Sequence, residues 1–553
     1  MSFFLLILVV GLVFGGVLER PDSFPTSIWI EESQTHGNTP IKLIFAIKQQ
    51  NTEQLRDILL DVSDPNSDNY GNFMTTDDIQ ELIKPKRKSI KAVYKWLLHN
   101  GIDIKDVKPE KKNKDLISIK TTIEFAEKLL NCQYYDYKHY KENITVSRVK
   151  MNTDYYVPSH MKRHLDLITP THRFPYIPEL KKGNVGAGAI TPTDLKALYT
   201  TGNAEGKAPD NLVAISSYSG EYWKLSDVEK LWSTYNIPTT NITSVPASTP
   251  QGEGLEAELD VQYMTAMSAA VPMEAWYTSG GFSDALLSWA TNVLNDKNPP
   301  KLFTTSYGLP ESSFGLAFCN RLNTDLAAMG TAGISVFYSS GDYGAGGGCS
   351  RPPFELHYPG SSPYVTTVGG TTGGKAGEQP TGEVAWSDGG GGFSNYVGTQ
   401  PWQMDAVKTY LSTANNLPAS NCYNASGRGY PDISAQAVDF IIIINGRQEG
   451  VSGTSCSCPT SGGIFGLLND LRLQNGMKQL GFLNPLIYSI AANDTTAFND
   501  VTSGSNRGCY SQDTSGFPAV KGWDAVTGVG TPNYAVLKNY VLQTGQKTKK
   551  WVK

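Results

Sequence analysis

Residues 451–455, Val-Ser-Gly-Thr-Ser, end a run of small residues in a serine, Ser455, whose hydroxyl could act as a nucleophile. A serine hydroxyl attacks a carbonyl only when a neighbouring base removes its proton. The usual base is histidine, but six of the seven histidines lie before residue 173, and the remaining one is His357. A carboxylate is therefore the expected base. That base predicts work at acid pH, because Glu titrates near pH ~4.3 and imidazole is mostly protonated there.

Glu256 and Asp260 are the candidate carboxylates for this proton transfer. They lie four residues apart in a stretch with helical spacing, so both point to one face of a helix. One carboxylate would accept the serine proton and the other would hold it in place. The alternative is a solvated acidic helix face. For Ser455 itself the alternative is an ordinary loop serine.

Asp342 follows an apolar run and precedes Tyr-Gly, which places it at the carboxyl end of a predicted strand. A protonated Asp there could donate a hydrogen bond to a developing oxyanion. The alternative is a turn aspartate that caps local backbone. Asp500 and Asp524 lie in two polar, glycine-containing turns near the C-terminus. Their carboxylates and the turn carbonyls would form an oxygen-rich site suited to Ca²⁺, although the spacing is not that of an EF-hand loop.

Length and composition limit the possible classes of protein. The chain has 553 residues, which favours two domains, and its net charge of −5 gives no basic surface for nucleic acid. The apolar N-terminus is typical of a secretory signal peptide and is short for a membrane span, and no later stretch is apolar enough to cross a bilayer. Secretory entry would lead to a lysosome or to the extracellular space. It agrees with four Asn-x-Ser/Thr sites, at Asn143, Asn241, Asn424 and Asn493.

Seven cysteines permit up to three disulfides and one free thiol. Cys456 and Cys458 lack further ligands at zinc spacing, so a buried thiol or a disulfide is expected for both.

The chain changes character near residue 182. Residues 20–170 are dense in charge and predict a small α/β unit with a strand at 41–47 and helices at 52–62, 75–83 and 87–100. An exposed, cleavable linker is predicted around Lys181-Lys182-Gly183. Beyond it, continuous apolar runs alternate with helical stretches, which predicts a parallel sheet covered on both faces. The predicted strands are 212–217, 273–278, 302–306, 334–339, 364–368 and 440–444, and the predicted helices are 255–270, 283–294, 320–330 and 461–473.

Motifs along nearly the whole chain resemble those of the sedolisins, the serine-carboxyl peptidases, and within them the tripeptidyl-peptidase branch. The matching segments are 62–65 (Val-Ser-Asp-Pro), 70–71, 82–85, 190–199, 256–260 (Glu-Ala-Glu-Leu-Asp), 340–342 (Ser-Gly-Asp), 358–365, 391–394, 429–432, 452–455 (Ser-Gly-Thr-Ser), 522–524 (Gly-Trp-Asp) and 530–533.

The resemblance implies a subtilisin-like α/β fold, with a parallel sheet between two layers of helices, preceded by a smaller α/β pro-domain. It implies a signal peptide at 1–18, a pro-domain with linker at 19–182, and a catalytic domain at 183–553. In this family Ser455 would be the nucleophile, Glu256 the base, Asp260 its partner and Asp342 the oxyanion acid. One structural Ca²⁺ would bind the Asp500 and Asp524 carboxylates and the carbonyls of Val501, Val520 and Gly522. Cys349 and Cys509 would form a disulfide.

The expected activity is that of an acid peptidase made as a zymogen, which acts on peptides and proteins and is inhibited by its own pro-domain. Release of N-terminal tripeptides is the leading specificity, and endopeptidase cleavage is the rival. Two other classes stay open: an inactive binding protein on this scaffold, and a glycoside hydrolase using paired carboxylates.

Overall fold

A computed structural model describes residues 15–141, 143–175, 180–183, 185–186, 188–349, 352–374, 381–509 and 515–545. The α-helices in these ranges are α1 (Thr52–Ser63), α2 (Thr76–Leu82), α3 (Arg87–His99), α4 (Ile123–Leu130), α5 (Pro192–Leu198), α6 (Leu225–Tyr235), α7 (Leu255–Ser268), α8 (Phe282–Asn295), α9 (Glu311–Phe314), α10 (Leu316–Thr331), α11 (Met404–Thr413), α12 (Thr454–Gln474), α13 (Asn484–Asn493) and α14 (Tyr534–Gln543).

The strands in the same ranges are short, and many pair only locally. They are β1 (Gly15–Val17), β2 (Trp29–Gln34), β3 (Pro40–Ile47), β4 (Lys108–Pro109), β5 (Leu116–Thr122), β6 (Tyr134–His139), β7 (Thr145–Val149), β8 (Tyr156–Pro158), β9 (Leu165–Thr169), β10 (Lys181–Lys182), β11 (Val213–Ser217), β12 (Ile242–Val245), β13 (Met273–Tyr277), β14 (Leu302–Thr305), β15 (Leu309–Pro310), β16 (Ser335–Ser339), β17 (His357–Tyr358), β18 (Thr366–Gly373), β19 (Glu383–Ala385), β20 (Gly392–Gly398), β21 (Gly427–Tyr430), β22 (Ile433–Gln436), β23 (Phe440–Ile444), β24 (Arg447–Ser452), β25 (Phe498–Asn499), β26 (Ser505–Arg507), β27 (Ser515–Pro518) and β28 (Thr531–Pro532).

The chain divides into two compact units, and the first comprises residues 1–50 and 83–174. Its main sheet is antiparallel, in the order β4-β5-β3-β9, and a second sheet has the order β2-β6-β7. Apolar side chains of β3 and β5, including Leu43, Phe45 and Ile117, form the core with Val93 and Leu97 of α3. This unit contains the strand predicted at 41–47 and the helix predicted at 87–100.

The second unit comprises residues 51–82 and 175–553 and contains an eight-stranded sheet. Its order is β12-β13-β11-β14-β16-β18-β19, with β22 also paired to β18. The pairs are parallel except β18 with β19, which is antiparallel. The central strands β11, β14 and β16 are fully buried, as expected for a parallel sheet with both faces covered.

Alternate residues of β14 show that helices cover both faces. Thr304 packs against α12 so closely that a Cβ at Gly462 would lie 2.1 Å from its methyl group. Phe303, which points to the opposite face, stacks edge-on against Trp289 of α8. Helix α7 packs along α12, and α8 packs along α10. The predicted α/β class, a parallel sheet between two helical layers, is therefore confirmed.

Two N-terminal helices belong to the second unit although they precede the linker. Leu59 of α1 lies against α10, where a Cβ at Gly330 would be 2.8 Å from the leucine methyl. Gln80 of α2 donates its side-chain amide to the carbonyl of Leu294, at 2.7 Å. Helices were predicted at both places within a unit from 20 to 170; by their contacts, α1 and α2 group with the second unit. The boundaries 19–182, which describe a product of processing, stay a prediction.

The apolar run at 440–444 is not a strand of the parallel sheet, and this prediction is wrong. β23 pairs antiparallel with β24, so the two form a hairpin directly before α12. The parallel position next to β18 is taken instead by the four-residue β22. The helix predicted at 461–473 begins earlier, at Thr454, so Ser455 lies inside it.

The N-terminal and cysteine predictions have separate outcomes. Residues 1–14 of the predicted signal peptide lie outside the described residues, whereas β1 at its end pairs with β8. Among the described residues, none of the helices has the length and apolar character needed to cross a membrane. The disulfide between Cys349 and Cys509 is confirmed, with an S–S distance of 2.13 Å. Cys456 and Cys458 are buried free thiols.

Candidate active site

Ser455 occupies the first turn of α12, directly after the β23–β24 hairpin. Its side chain is nearly buried, with 5% of the residue exposed. The unpaired main-chain N–H groups of a first helical turn carry partial positive charge, which favours negative charge on a nearby oxygen. Gly453 and Thr454 precede it, and Gly462 and Gly463 further along allow α12 to approach the sheet and α7.

Glu256 and Asp260 project from α7 toward Ser455, and both are buried, at 2% and 0% exposed. The Ser455 hydroxyl lies near the Glu256 carboxyl and favours its ionised form, which lowers its pKa. Asp260 accepts a 2.6 Å hydrogen bond from the hydroxyl of Ser306, the residue after β14. The i,i+4 spacing that the sequence suggested therefore does align the two carboxyls. The alternative of a solvated acidic face is wrong for this pair.

Burial raises the pKa of both carboxyls well above the usual range. Asp260 adds to the rise of the Glu256 pKa through like charge, and the nearby Ser455 hydroxyl opposes it. At Asp260 the hydrogen bond from Ser306 opposes burial. The two groups interact strongly, so their protons belong to the pair. A pair of this kind can hold one proton and exchange it with a neighbouring hydroxyl.

Asp342 lies at the carboxyl end of β16, beside the start of α12. Its Oδ1 accepts hydrogen bonds from the main-chain N–H of Thr454 at 2.8 Å and from the Thr454 hydroxyl at 2.7 Å. Its Oδ2 faces Gly453, where a Cβ would be only 2.6 Å away. Burial raises the pKa of Asp342, while the Thr454 hydrogen bonds and Lys181 lower it. A proton on Oδ2 would thus be available for donation next to Ser455.

Three residues that the sequence did not single out complete the cluster. Thr454 links two loops, because its hydroxyl also accepts a 3.1 Å hydrogen bond from the N–H of Gly341. Ser306 holds Asp260, as described. Glu221 accepts the main-chain N–H of Glu256 at 3.0 Å and so caps the first turn of α7. Its own pKa is raised by burial. The sequence carried one signal for these two residues. Glu221 follows the apolar run at 212–217, and Ser306 ends the apolar run at 302–306.

His357, the one histidine beyond the N-terminal third, lies against main chain rather than serving Ser455. A Cβ at Gly308 would be 2.1 Å from its ring, and a Cβ at Gly341 would be 3.0 Å from it. Burial lowers its pKa to about 4. This placement agrees with the expectation that a carboxylate, not an imidazole, is the base.

The predicted linker forms a strand beside Ser455. β10 pairs antiparallel with β24, with Lys181 opposite Ser452 and Lys182 opposite Val451. The N–H of Gly183 continues the pairing, with a 2.7 Å bond to the carbonyl of Gly450. An extended peptide segment therefore lies along the strand that leads to Ser455, as a bound peptide does when it adds a strand to a sheet edge.

The predicted calcium ligands lie in adjoining turns. Asp500 Oδ2 accepts the N–H of Gly522 at 2.9 Å, and Asp500 Oδ1 is a buried oxygen without a hydrogen-bond partner. Asp524 is fully buried and accepts main-chain N–H groups from Val520, Val526 and Thr527. Burial raises the pKa of Asp524 to about 7. Within the described residues no three His, Cys, Asp or Glu side chains gather as a metal site. A cation here would therefore need main-chain carbonyls.

Three of the four predicted glycosylation sites, Asn143, Asn241 and Asn493, are exposed. Asn424 is half-buried and donates its amide to the carbonyl of Ser394 at 3.0 Å. Glycosylation at all four stays a prediction.

Comparison with known proteins defines the class. Residues 27–174 match the family described as Pro-kumamolisin, activation domain. The chain is 33% identical over 541 residues to tripeptidyl-peptidase 1 of Rattus norvegicus, covering 93% of this chain and 94% of the relative. It is 33% identical over 543 residues to tripeptidyl-peptidase 1 of Homo sapiens, with the same shares covered. A Pseudomonas sedolisin, a serine-carboxyl proteinase, superposes with a TM-score of 0.54 at 23% identity, over 65% of this chain and 100% of that chain.

The fold is thus that of a serine-carboxyl peptidase preceded by an activation domain. The chain belongs to the sedolisin family, in the group that includes tripeptidyl-peptidase 1. It is a serine-type peptidase with an N-terminal pro-domain.

Proposed function

We propose that the chain hydrolyses peptide bonds at acid pH through an acyl-enzyme on Ser455 and releases N-terminal tripeptides. The observation that carries the mechanism is the grouping of the buried carboxyls Glu256 and Asp260, the latter held by Ser306, beside Ser455 in the first turn of α12. Tripeptide release is supported by the names of the relatives, and endopeptidase cleavage is the outcome that the test below would distinguish.

In this reaction Ser455 Oγ attacks the peptide carbonyl carbon while its proton passes to Glu256, which must be ionised at that moment. The carbonyl oxygen becomes an oxyanion and accepts a hydrogen bond from protonated Asp342. Glu256 then gives the proton to the departing amine nitrogen, and the acyl-enzyme forms. Water, deprotonated by Glu256, attacks the ester carbonyl carbon; the bond to Ser455 Oγ breaks, Glu256 returns the proton to Oγ, and the peptide acid leaves. Asp260 shares the proton of Glu256 and keeps its carboxyl oriented.

The same geometry supports inhibition of the precursor by its own linker. β10 occupies the edge of β24, so a substrate strand could not pair there at the same time. Lys181 also donates to the carbonyl of Asp342, at 2.8 Å. Release of the linker would open this edge and remove Lys181 from the Asp342 carbonyl, which supports a zymogen activated by cleavage near residue 182.

Calcium binding at the C-terminal turns is part of the proposal. The buried, unpartnered Asp500 Oδ1 and the buried Asp524 carboxyl fit a hard cation that prefers oxygen ligands. When bound, the ion would supply charge that stabilises both carboxylates in their ionised forms. The carbonyls of Val501, Val520 and Gly522 would complete the ligand set.

Entry into the secretory pathway, with delivery to a lysosome or the extracellular space, is also proposed. It is supported by the apolar first 18 residues and by the three exposed glycosylation sites. An acid compartment would match the carboxyl mechanism.

The first test follows purified precursor by mass spectrometry after a shift to about pH 4, where unperturbed carboxyl groups titrate. Peptides with free and with blocked N-termini are present. Loss of the N-terminal third and release of intact tripeptides from free N-termini would support the proposal. Cleavage within blocked peptides would show an endopeptidase. Absence of processing and turnover in a folded protein would contradict the proposal.

Ser455→Ala tests the nucleophile. We expect turnover to fall to background, because no oxygen remains to form the acyl-enzyme, while thermal stability stays close to that of the unmutated protein. The matched control is Ser461→Ala, which changes a buried hydroxyl in the same helix that lacks a hydrogen-bond partner. Retained activity in Ser455→Ala, or equal loss in both variants, would move the nucleophile elsewhere.

A further inference from the structure

The side chain of Lys181 lies in a pocket beside the candidate active site. Its ammonium donates to the carbonyl of Asp342 at 2.8 Å and to Asp388 Oδ2 at 2.5 Å. The same nitrogen lies 5.6 Å from the ring centre of Tyr343 and 5.0 Å from that of Trp386. A carbonyl, a carboxylate and two aromatic faces are the groups that bind an ammonium or a guanidinium.

The pocket is built from two loops that are tied together. The N–H of Gly344 donates to the carbonyl of Asp388 at 2.8 Å, and the N–H of Gly390 donates to the carbonyl of Gly341 at 2.7 Å. The first loop follows β16 and carries Asp342, so the pocket adjoins the proposed oxyanion acid. Because main-chain hydrogen bonds fix both loops, the pocket keeps its shape when the side chain in it changes.

Among the described residues, two further charged groups act on the ammonium in this pocket: the Asp342 carboxyl and the guanidinium of Arg507. Arg507 of β26 pairs with Asp388 Oδ1, the other oxygen of the same carboxyl. Each carboxyl oxygen of Asp388 therefore pairs with one cation, Oδ1 with Arg507 and Oδ2 with Lys181. If Lys181 left the pocket, Oδ2 could pair with the cationic side chain of a substrate. The Asp388 side chain is only 14% exposed, so its hydrogen bonds are partly shielded from water.

The register of the linker relates this pocket to a bound peptide. Lys181 lies opposite Ser452, three residues before Ser455. The preceding residue, Leu180, lies close to Gly453, where a Cβ would be 3.2 Å from its methyl group and 2.6 Å from Asp342. A substrate peptide that pairs with β24 in the same way would place one residue beside Gly453, as Leu180 is placed. The side chain of its next residue would enter the pocket, as that of Lys181 does.

We propose that Asp388, Tyr343 and Trp386 form a substrate subsite that selects a lysine or arginine side chain at one position of the peptide. The inference rests on the proposed function, because it assigns the pocket to the same peptide-binding edge. It also gives Lys181 a role in inhibition. In the precursor, the linker would block the cleft by placing in the subsite the type of side chain that the subsite selects.

The test uses the mature enzyme after acid processing and peptides that differ at one position only. A single Lys is moved through each position around the scissile bond, and at each it is compared with Gln, norleucine and Glu by kcat/KM. We expect one position at which Lys exceeds Gln by about tenfold, as a charge-assisted hydrogen bond allows, and at which Glu is the poorest. The preference should weaken as salt is added.

Variants then assign the preference to the pocket. Asp388→Asn should lower the Lys-to-Gln ratio at that position at least fivefold, because the carboxylate is lost and the shape is kept. Asp405→Asn, at an exposed carboxylate on α11, should keep the wild-type ratio. The peptide series on unmutated enzyme decides the question even if Asp388→Asn does not fold.

Several outcomes would overturn the inference. Equal turnover of the Lys, Gln, norleucine and Glu peptides at every position would show that the pocket only locks the precursor, and the proposed peptidase function would stand. A Lys preference that persists in Asp388→Asn would place the selectivity elsewhere. Failure to cleave any peptide would contradict the proposed function together with the subsite.

Discussion

Asp342 differs from the other carboxyls of the cluster because its proposed role requires a proton. Its Oδ1 already accepts two hydrogen bonds from Thr454, so only Oδ2 can carry the proton toward an oxyanion. Glu256 must instead be ionised to act as base. Activity is therefore expected to rise with pH as the Glu256–Asp260 pair ionises and to fall as Asp342 loses its proton.

Asp342→Asn distinguishes the acid limit of the activity profile, set by the Glu256–Asp260 pair, from the alkaline limit, set by Asp342. The amide oxygen can still accept from Thr454, and the NH₂ group donates at every pH. We expect a lower maximal kcat/KM but a loss of activity at the alkaline side that is displaced to higher pH. Asp342→Ala, which has no donor, should cost about a hundred- to a thousandfold in kcat. An unchanged alkaline limit in Asp342→Asn would show that another group sets it.

Glu221→Gln tests the carboxyl that lies beside the Glu256–Asp260 pair. Glu221 raises the pKa of Glu256 and of Asp260 through like charge. With one acid fewer, the remaining two ionise at lower pH, so the acid limit of kcat/KM should move down by up to about one pH unit. The hydrogen bond from the N–H of Glu256 is kept. A control is Glu253→Gln, at a neighbouring exposed carboxylate. An acid limit that stays in place would contradict this assignment.

At the scale of elements, the sequence predicted most of the sheet that positions these residues. The apolar runs ending at Ser217, Thr305 and Ser339 are strands of the parallel sheet, because buried parallel strands are continuously apolar. The run at 440–444 has the same composition but pairs with β24, its neighbour in the chain. Composition alone does not distinguish these two pairings. β22 was missed because four residues leave too little pattern.

The start of α12 was missed for a related reason. Residues 454–463 contain Pro459, Gly462, Gly463 and several Ser, Thr and Cys residues, all weak helix formers. Burial against α7 and the sheet holds them helical nevertheless. The four candidate catalytic side chains were predicted because their types are chemically distinctive. Thr454, Ser306 and Glu221 act through hydrogen bonds to other segments, which a single sequence does not reveal.

The calcium prediction belongs to the turns that join β25, β27 and β28. Ca²⁺ should raise the Tm of the unmutated protein, and a chelator should lower it, because the ion binds only the folded turns. Asp500→Ala should abolish the difference between the two conditions. Asp494→Ala, at a half-buried carboxylate outside these turns, is the control and should keep the difference between the two conditions. If chelator leaves the Tm of the unmutated protein unchanged, the proposed calcium site is contradicted.

For the whole molecule, buried carboxyls predict lower stability as pH rises. Burial raises the pKa of Glu258 to about 8, and it also raises the pKa of Glu383 and Glu311. Between the usual pKa near 4.5 and these raised values, the folded protein binds more protons than the unfolded chain. The free energy of unfolding therefore falls as pH rises through this interval, by about 1.4 kcal/mol for each unit of pKa difference.

Glu258→Gln should make this dependence less steep. The amide oxygen can still accept the N–H of Lys224, which bonds to Glu258 at 2.8 Å, and no charge develops at high pH. We expect denaturant unfolding measured from about pH 4 to pH 8 to show a smaller loss of stability than in the unmutated protein. Glu449→Gln, at an exposed carboxylate, should leave the slope unchanged. Equal slopes in all three proteins would contradict the assignment.

Residues 51–82 give the second unit two helices that are encoded before the linker. α1 and α2 pack on α10 and α8, and Tyr70 donates its hydroxyl to the carbonyl of Leu480 at 3.3 Å. Cleavage near residue 182 would leave those contacts to a separate fragment. The remaining chain would then stay folded because it unfolds slowly, and it would not refold once unfolded. Heat would inactivate such an enzyme irreversibly. The unfolding rate of the cleaved chain would set the half-life of its activity.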